Sequence, residues 1–308
     1  MRIALDMMGG DFAPRECCLG VEEFLRLYQD CHLVLIGNRQ AIENGLADSS
    51  LPVTIVHTES VIDMHEHPTK AMREKQDSSM VVGFHLLAKG EVDAFVSAGN
   101  TGVMLVGAAH IIKPIEGILR PTIPTLVPKI SNTYGLMLDV GINADCKPEH
   151  LNQFASLGAL YVKEILGIEN PRVALLNIGE EETKGNILAQ ATYPLLKANP
   201  NINFIGNVEG RDVFADKYDV LVCDGFTGNI VLKLAESLYD VIKVQRNIQD
   251  EFLDRFNHQI YGGVPVLGVN KPVVIGHGIS DAKSFVGMME VARKMIMTKM
   301  LSHVEGLL

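Results

Sequence analysis

No stretch of this sequence is long and apolar enough to cross a membrane as a helix. The longest largely apolar run, Val103 to Ile112, ends at Lys113 and Pro114, whereas a spanning helix needs about 20 apolar residues. A secretory leader is also missing, because MRIALDMMGGD at the start reads as a strand and a glycine turn. We therefore predict a cytoplasmic protein whose contacts with a membrane are peripheral.

Positive charge is scarce as well. The 308 residues include 27 Lys and Arg against 37 Asp and Glu, which gives a net charge of −10 with histidine neutral. Non-specific nucleic-acid binding needs clustered Lys and Arg, so we expect no nucleic-acid partner. The hydrophobic fraction of 47% is too high for a disordered chain and suffices for a real core.

Cysteine is sparse, and the spacing of the cysteines does not indicate a set of disulfide bonds. The five cysteines include no CxxC pair, and in a cytosolic protein we expect them to be reduced and mostly buried. A catalytic cysteine is the alternative, but no sequence context supports it. The residues are Cys17, Cys18, Cys31, Cys146 and Cys223.

Several motifs that carry chemistry are absent. There is no GxxxxGK[ST] phosphate loop, no GxGxxG dinucleotide fingerprint after a strand, and no GxSxG nucleophile elbow. His65, Glu66 and His67 lie before Pro68 without the i, i+4 spacing of a helical zinc site. We therefore predict no metal site there and no cofactor.

Short apolar runs alternate with helical patterns through almost the whole chain. This alternation predicts an α/β fold with a mainly parallel sheet and helices on both faces. We expect one catalytic α/β domain over 1–308, or two lobes around a cleft with the crossing near the Pro-rich stretch 115–128. The predicted strands are Arg2–Asp6, His32–Gly37, Val53–His57, Asp93–Ser97, Ile123–Pro128, Tyr134–Val140, Arg172–Ile178, Ile202–Asn207, Asp219–Asp224 and Pro272–His277.

Helical spacing marks the segments between these strands. Two late segments are unusual: 229–261 carries a long apolar stripe with a turn near Asn247, and 280–303 is rich in methionine. The stripe favours packing against the body or a second subunit over lipid contact. The methionines favour irregular core space, with an acyl-binding surface as the alternative. The other predicted helices are 14–28, 70–89, 101–112, 148–166 and 185–198.

Three predicted strands are followed by glycine turns that open a helix. The turns are Ser97–Gly102, Asp224–Asn229 and Gly276–Asp281. Free amides and the positive end of a helix suit a phosphate or another oxyanion at such turns. Thr101 or Asn100 in the first turn, and Ser280 in the third, could instead be ordinary N-caps. Both interpretations stay open, although three such turns in one sheet are hard to explain by capping alone.

A charged loop and an acidic turn are further candidates. Lys184 stands just ahead of a helix, where its ammonium could pair with a phosphate, or where Glu181 or Glu182 could neutralise it. Asp6 and Asp11 flank a glycine turn after the first strand and either orient a substrate group or cap the turn. The residue pattern alone indicates an α/β enzyme that handles phosphate or another oxyanion.

At these positions the chain resembles the acyl-ACP:phosphate acyltransferase family of bacterial phospholipid synthesis. The similarity runs from end to end, with Ile142 and the loop 116–121 departing from the usual pattern. The matching segments are IALDMMGGDFAP (3–14), SAGNTG (97–102), LNIGEEETKG (176–185), NFIGNVEGRD (203–212), CDGFTGNIVLK (223–233), YGGVPVLGVN (261–270) and GHGISDAK (276–283).

The resemblance implies a reaction, a fold and partners. Acyl-ACP and orthophosphate would give acyl phosphate and free acyl carrier protein (ACP), and a separate membrane acyltransferase would use the product on glycerol 3-phosphate. The implied fold is that of phosphotransacetylases and isocitrate-type dehydrogenases, without a nicotinamide cofactor or a metal. Homodimers and peripheral membrane contact are implied too, with Phe252, Leu253, Phe256 and Ile260 as the candidate membrane or dimer tip.

Within that reaction we predict roles for the residues singled out above. Phosphate would lie against the amides of Gly99, Asn100, Thr101 and Gly102 and the ammonium of Lys184. Asn229 and Thr227 would donate to the oxyanion or to a phosphate oxygen. Asp224 would orient Lys184 or Asn229, and His277 would protonate the departing thiolate.

Two other functions compete with this one. A metal-assisted, NAD-dependent hydroxyacid dehydrogenase on the same fold would need a dinucleotide site and a carboxylate cluster, and the sequence offers no convincing constellation. A non-enzymatic ACP or membrane adaptor would have little need of several glycine–polar turns at strand ends.

Overall fold

Strands and helices alternate along the chain in a computed structural model that describes residues 1–256, 262–304 and 306. The strands are β1 (Arg2–Asp6), β2 (His32–Gly37), β3 (Val53–His57), β4 (Ala94–Ser97), β5 (Pro124–Pro128), β6 (Tyr134–Leu138), β7 (Arg172–Asn177), β8 (Asn203–Glu209), β9 (Val220–Val222), β10 (Val264–Pro265) and β11 (Val273–Ile275). The α/β class predicted from the sequence is confirmed.

The helices fill the intervals between the strands. They are α1 (Arg15–Leu27), α2 (Arg39–Gly45), α3 (Pro68–Glu74), α4 (Ser79–Ala88), α5 (Thr101–Gly107), α6 (Pro148–Leu166), α7 (Ile187–Ala198), α8 (Gly225–Tyr239), α9 (Glu251–Asp254), α10 (Ala282–Met297) and α11 (Met300–Val304). Two helices continue into π-helical segments, α5 over Ala108–Ile112 and α8 over Asp240–Gln245.

The chain forms two compact units, and the main segment of the second is inserted into the sequence of the first. The first unit comprises Met1–Pro114 and His258–Leu301, and the second comprises Ile115–Asn257 and Ser302–Leu308. Each unit has its own sheet. The expectation that the glycine turns share one sheet was therefore wrong, because β9 lies in the second unit while β4 and β11 lie in the first.

The sheet of the first unit has the strand order β10-β11-β4-β1-β2-β3, and only β10 runs antiparallel. Ala4 in β1 pairs with Val34 in β2 and Phe95 in β4, while Ser97 in β4 pairs with Ile275 in β11. The carboxyl ends of β1, β4 and β11 are therefore neighbours. Both faces of these strands are buried, which is why their sequences are unbroken apolar runs.

The sheet of the second unit has the order β5-β6-β9-β7-β8, with β5 antiparallel. Leu138 in β6 and Leu175 in β7 both pair with Val222 in β9. The carboxyl ends of β6, β9 and β7 thus form one edge, and the residues that follow them are brought together. In parallel α/β sheets such edges are where ligands bind.

The helices differ from the predicted ranges at capping residues and at a residue with positive φ that were not predicted from the sequence. The range 70–89 holds two helices, since Ser78 accepts a hydrogen bond from the Val81 amide and caps α4. The helix α2 begins after Asn38, which caps it and was not recognised. Lys299 adopts a positive φ of 52° between α10 and α11, so 280–303 is not one helix.

The range 229–261 is not one helix either. The α8 helix ends at Tyr239, and the predicted turn near Asn247 is confirmed by a positive φ of 50° at that residue. The short helix α9 follows.

The methionines of the last helices are mostly core residues. Met288, Met289, Met295 and Met300 are fully or almost fully buried, whereas Met297 is 55% exposed. The interpretation of these side chains as filling irregular core space is confirmed for the four buried ones.

Candidate active site

The first predicted phosphate turn follows β4 and is anchored by a buried carboxylate at the end of β1. Asp6 Oδ2 accepts a hydrogen bond of 2.7 Å from Ser97 Oγ, which in turn accepts one of 2.9 Å from the Gly99 amide. Burial raises the pKa of the Asp6 carboxyl above its ordinary value, against the hydrogen bonds from Ser97 and the Met8 amide. The sequence pointed to Asp6 but not to Ser97, the residue that joins it to the turn.

The side chain of Asn100 is fully committed to structure. Its Oδ1 accepts from the Val103 amide and caps α5, while its Nδ2 donates to the carbonyls of Asp63, Met64 and Glu66 at 3.0–3.1 Å. The capping interpretation of this side chain is therefore correct. The backbone amides of this turn, unlike the Asn100 side chain, are not taken up by capping.

Among the described residues, the amides of Asn100, Thr101 and Gly102 have no hydrogen-bond partner. The Gly99 amide, by contrast, is already bonded to Ser97. The amides available to an anion at this turn are therefore those of residues 100–102, as expected for the first positions of a helix.

His277 lies beside this turn, two residues beyond the end of the neighbouring strand β11. The Gly276 amide donates to the Ser97 carbonyl at 2.9 Å, and the Gly278 carbonyl accepts from the Asp11 amide at 2.7 Å. The turns after β1, β4 and β11 are thereby joined. Ser280 does not cap α10 as predicted, because the Asp281 carboxylate accepts from the Ser284 amide instead.

The glycine turn after β9 has the same construction in the second unit. Asp224 caps α8: its Oδ1 accepts from the Thr227 amide at 2.8 Å and its Oδ2 from the Thr227 hydroxyl at 2.9 Å. No hydrogen bond joins the Asp224 carboxylate to Lys184 or Asn229 among the described residues. The orienting role of Asp224 stays a prediction, and its observed contact is with Thr227.

Asn229 faces the loop that follows β6. Its Nδ2 donates to the Val140 carbonyl at 3.3 Å, and a Cβ added at Gly141 would lie 3.2 Å from the same nitrogen. Gly141 has a φ of +140°, so both its conformation and the close approach favour glycine there. One N–H of the Asn229 amide is thus engaged, and the second is available to a substrate oxygen.

Two residues of this loop escaped the sequence analysis. Asp139 is fully buried, and its Oδ2 accepts from the Asn143 amide at 2.6 Å and from Asn143 Nδ2 at 3.0 Å. The Asn143 carbonyl accepts from the Gly225 amide at 2.8 Å, at the start of α8. A Cβ at Gly225 would lie 2.7 Å from Asp139 Oδ2. The unusual run of small residues in CDGFTGN was the available signal for this close packing.

Lys184 lies in an exposed loop between β7 and α7. Asn177 at the end of β7 donates through Nδ2 to the Lys184 carbonyl at 3.1 Å, which fixes the backbone there. A Cβ at Gly179 would lie 2.9 Å from Lys184 Cγ, so the aliphatic stem packs on a bare backbone. Within the described part of the chain, the Lys184 ammonium forms no ion pair.

The neighbouring glutamates do not neutralise Lys184. Glu182 pairs with Lys197 at 2.6 Å, and Glu180 pairs with Lys217 at 3.3 Å. The hydrogen bond from Lys197 holds the pKa of Glu182 below its ordinary value. The alternative in which Glu182 neutralises Lys184 is therefore wrong, and among the described residues Glu181 forms no ion pair with Lys184 either, although both side chains lie beside Gly179.

The predicted site residues divide between the two units. Gly99, Asn100, Thr101, Gly102 and His277 belong to the first, and Lys184, Asp224, Thr227 and Asn229 belong to the second. In the first unit these residues follow the adjoining strands β4 and β11, and in the second they follow the adjoining strands β7 and β9.

The cysteines behave as structural thiols. None forms a disulfide; four are buried and Cys146 is half-buried. Burial raises the pKa of Cys223 well above its ordinary value and that of Cys146 to about 11. The prediction of reduced, mostly buried thiols is confirmed. The described residues contain no group of three or more His, Cys, Asp or Glu placed to hold a metal ion.

The candidate membrane or dimer tip is packed against the second unit. Phe252 and Phe256 form an edge-to-face cluster with Phe214, with ring centroids 5.1–6.5 Å apart. Leu253 is half-buried, and Ile260 lies outside the described residues. Among the helices that the structure describes, none has both the length and the apolar composition of a membrane span.

Comparison with known proteins identifies the family of this chain. A family model described as fatty acid synthesis protein matches residues 1–303. Phosphate acyltransferase from Dictyoglomus turgidum is 44% identical over 96% of this chain and 94% of its own length. The enzyme of the same name from Dictyoglomus thermophilum is 42% identical over the same shares.

A solved structure supports the predicted fold. A phosphotransacetylase from Streptococcus pyogenes superposes with a TM-score of 0.71 at 19% identity, over 96% of this chain and 94% of that one. This likeness concerns the fold, because the identity is low. Sequence and fold agree, and the chain belongs to the phosphate acyltransferase family, a family of acyl-transferring enzymes.

Proposed function

We propose that this chain transfers an acyl group from the thioester of ACP to orthophosphate. A phosphate oxygen attacks the thioester carbonyl, the carbon–sulfur bond breaks, and the proton from phosphate ends on the sulfur of the free carrier. The acyl phosphate would then serve a membrane glycerol-3-phosphate acyltransferase in phospholipid synthesis. The observation that carries the proposal is the match to phosphate acyltransferases over nearly the whole chain.

The site residues supply what this chemistry requires. The thiolate is a good leaving group, so positioning of the phosphate dianion and stabilisation of the oxyanion should provide most of the rate. The unpartnered amides of residues 100–102 are donors in one unit. The unpaired ammonium of Lys184 and the second N–H of Asn229 are donors in the other. His277 remains the candidate acid for the departing thiolate.

The direct test is to incubate the protein with palmitoyl-ACP and phosphate. We expect free ACP to appear together with an acyl phosphate that hydroxylamine traps. Arsenate in place of phosphate should give net hydrolysis, since acyl arsenates decompose in water. A reaction that proceeds equally without either anion would show thioester hydrolysis and contradict the proposal.

A second copy of the chain is the proposed partner for the exposed face of α8. Phe226, Ile230, Leu234 and Leu238 recur every four residues on this helix and are 43–62% exposed. This spacing forms a single apolar stripe. The stripe is more exposed than the aromatic cluster of Phe252 and Phe256, so it suits a homodimer contact better than the predicted tip.

Peripheral contact with anionic lipid is proposed for the segment that follows. Val241, Val244 and Ile248 are 46–65% exposed there. Arg246 is exposed beside them, and a basic residue next to apolar ones favours an anionic membrane surface.

These two surfaces can be separated by charge substitutions. We expect Leu234→Asp to shift the sedimenting mass from dimer toward monomer, because a carboxylate would be buried without a partner. Val244→Asp should instead weaken the free energy of binding to phosphatidylglycerol vesicles by about 1 kcal/mol or more, because an apolar contact is lost and a negative charge is added. Co-flotation with the vesicles measures this loss. Each variant is the control for the other. A dimer that persists in Leu234→Asp, or vesicle binding that persists in Val244→Asp, would contradict the corresponding assignment.

A further inference from the structure

A cavity in the second unit opens at the carboxyl ends of β7, β8 and β9. Its volume is about 600 Å³, within the range of ligand sites in proteins. Its apolar wall comes from Leu151, Leu175, Leu176, Leu188 and Val231. We call it the leucine cavity. Leu151 and Leu175 are buried, and Leu176 and Leu188 are half-buried. Leucines at the edge of a sheet where substrates bind are an unusual combination, because such edges are rich in polar groups.

The polar side chains in the wall of the leucine cavity are already hydrogen-bonded within the unit. Asp224 accepts both hydrogen bonds from Thr227. Asn177 donates to the Lys184 carbonyl and accepts from the Ile178 amide. Arg211 pairs with Glu209 at 2.8 Å. Because these polar groups already have partners within the unit, they contribute little to the binding of a polar ligand. The apolar residues of the wall suit an aliphatic ligand instead.

One exposed isoleucine lines the same cavity, and a second is adjacent in sequence to a lining residue. Ile178 lines it and is 81% exposed, and Ile187, next to Leu188, is 89% exposed. Of the large hydrophobic side chains in the described part of the chain, these two are the most exposed. Contact with an aliphatic ligand that enters the cavity would remove the surface of Ile178 from water.

We propose that the leucine cavity binds the acyl chain of the thioester substrate. The inference rests on the proposed function and adds the place of the chain. Asp224 and Thr227 at the start of α8 line the cavity together with the leucines. A chain that lies along the leucines therefore brings its carbonyl toward the helix start that carries Asn229.

Gly210 gives a way to fill the cavity without disturbing the fold. It lines the cavity, and a Cβ added there meets no atom within 4 Å. Its φ is not in the positive region, so a larger residue is not strained. Gly210→Phe thus places a ring in open space at the wall of the cavity.

The test measures kcat/KM against a series of acyl-ACP substrates from hexanoyl to palmitoyl. The wild-type value should rise by about 4-fold for each added methylene while the cavity fills, as the transfer free energy of a methylene implies. Gly210→Phe should lower the value for palmitoyl-ACP by about 10-fold or more and leave that for hexanoyl-ACP within about 2-fold. Leu166→Phe, at the exposed end of α6 and outside the cavity wall, is the control and should keep the wild-type profile.

A binding measurement separates this inference from the proposed function. The chain contains no tryptophan, so Leu188→Trp is a single-tryptophan reporter in the cavity wall, with Leu166→Trp as its control. Palmitoyl-ACP without phosphate should shift the Leu188→Trp emission to the blue, and hexanoyl-ACP should shift it less. An unshifted emission, or a chain-length profile that Gly210→Phe leaves unchanged in an active enzyme, would overturn the inference. Loss of acyl phosphate formation from wild-type protein with the shift retained would overturn the proposed function alone.

Discussion

Replacing Lys184 by alanine is expected to lower the rate of acyl phosphate formation by about 100-fold to 1000-fold, as removal of one preorganised donor to a developing oxyanion does. The free energy of unfolding should change by less than about 0.5 kcal/mol. The two expectations differ because the Lys184 side chain is exposed and forms no ion pair among the described residues. A cation that stabilises nothing in the folded protein is available to a phosphate.

The matched control is Lys217→Ala. Lys217 is half-exposed in the same unit, but its ammonium pairs with Asp212 at 2.9 Å and Glu180 at 3.3 Å. We expect near wild-type turnover from that variant. Initial rates at saturating palmitoyl-ACP across a phosphate titration, with urea unfolding of the same samples, test both statements. Turnover by Lys184→Ala within a factor of about 3 of wild type, well short of the loss of one oxyanion donor, would remove Lys184 from the site.

Asp139→Ala is expected to have the largest effect on stability, lowering the free energy of unfolding by about 3 kcal/mol or more. The carboxylate is fully buried and accepts from the Ile123 amide at 3.2 Å as well as from two donors of Asn143. Alanine would leave the Ile123 and Asn143 backbone amides without an acceptor, and Asn143 Nδ2 with only the Pro121 carbonyl. Asp139→Asn should recover only part of the loss, because an amide presents an N–H where a second acceptor is needed.

Asp145 provides the comparison for this effect within the same loop. Its side chain is exposed, so Asp145→Ala should shift the free energy of unfolding by no more than about 0.5 kcal/mol. Urea unfolding followed by circular dichroism measures both variants. A midpoint for Asp139→Ala equal to that of wild type would mean that the Asp139 network does not hold the loop against α8.

The strands were predictable because their sequences are set by burial on both faces. The short apolar runs in RIALD and HLVLIG are typical of strands buried on both faces, and β1 and β2 have the predicted bounds. The division into two sheets was not predictable in the same way. A parallel strand carries no mark of its neighbour, so nothing in the sequence of β9 says that it pairs with β6 and β7 rather than β4.

The site was predictable as a set of turns but not as a set of contacts. A glycine–polar turn after a strand signals a helix start, and the turns at Asn100 and Asp224 are confirmed as helix starts. Which group each side chain meets depends on residues distant in sequence. Ser97 is hydrogen-bonded to Asp6, 91 positions away. The periodicity of hydrophobic residues along the sequence does not predict such a pair.

The insertion of the second unit has a consequence for how the protein emerges from the ribosome. β4 lies between β1 and β11 in the first sheet, yet β11 is synthesised only after residues Ile115–Asn257, which form most of the second unit. The second unit can close its own sheet while the first still has β4 exposed along one side. We infer that residues Ile115–Asn257 are translated beside an unfinished sheet, and that the open side of β4 is covered only when β11 (Val273–Ile275) has been synthesised, as slow long-range pairing implies.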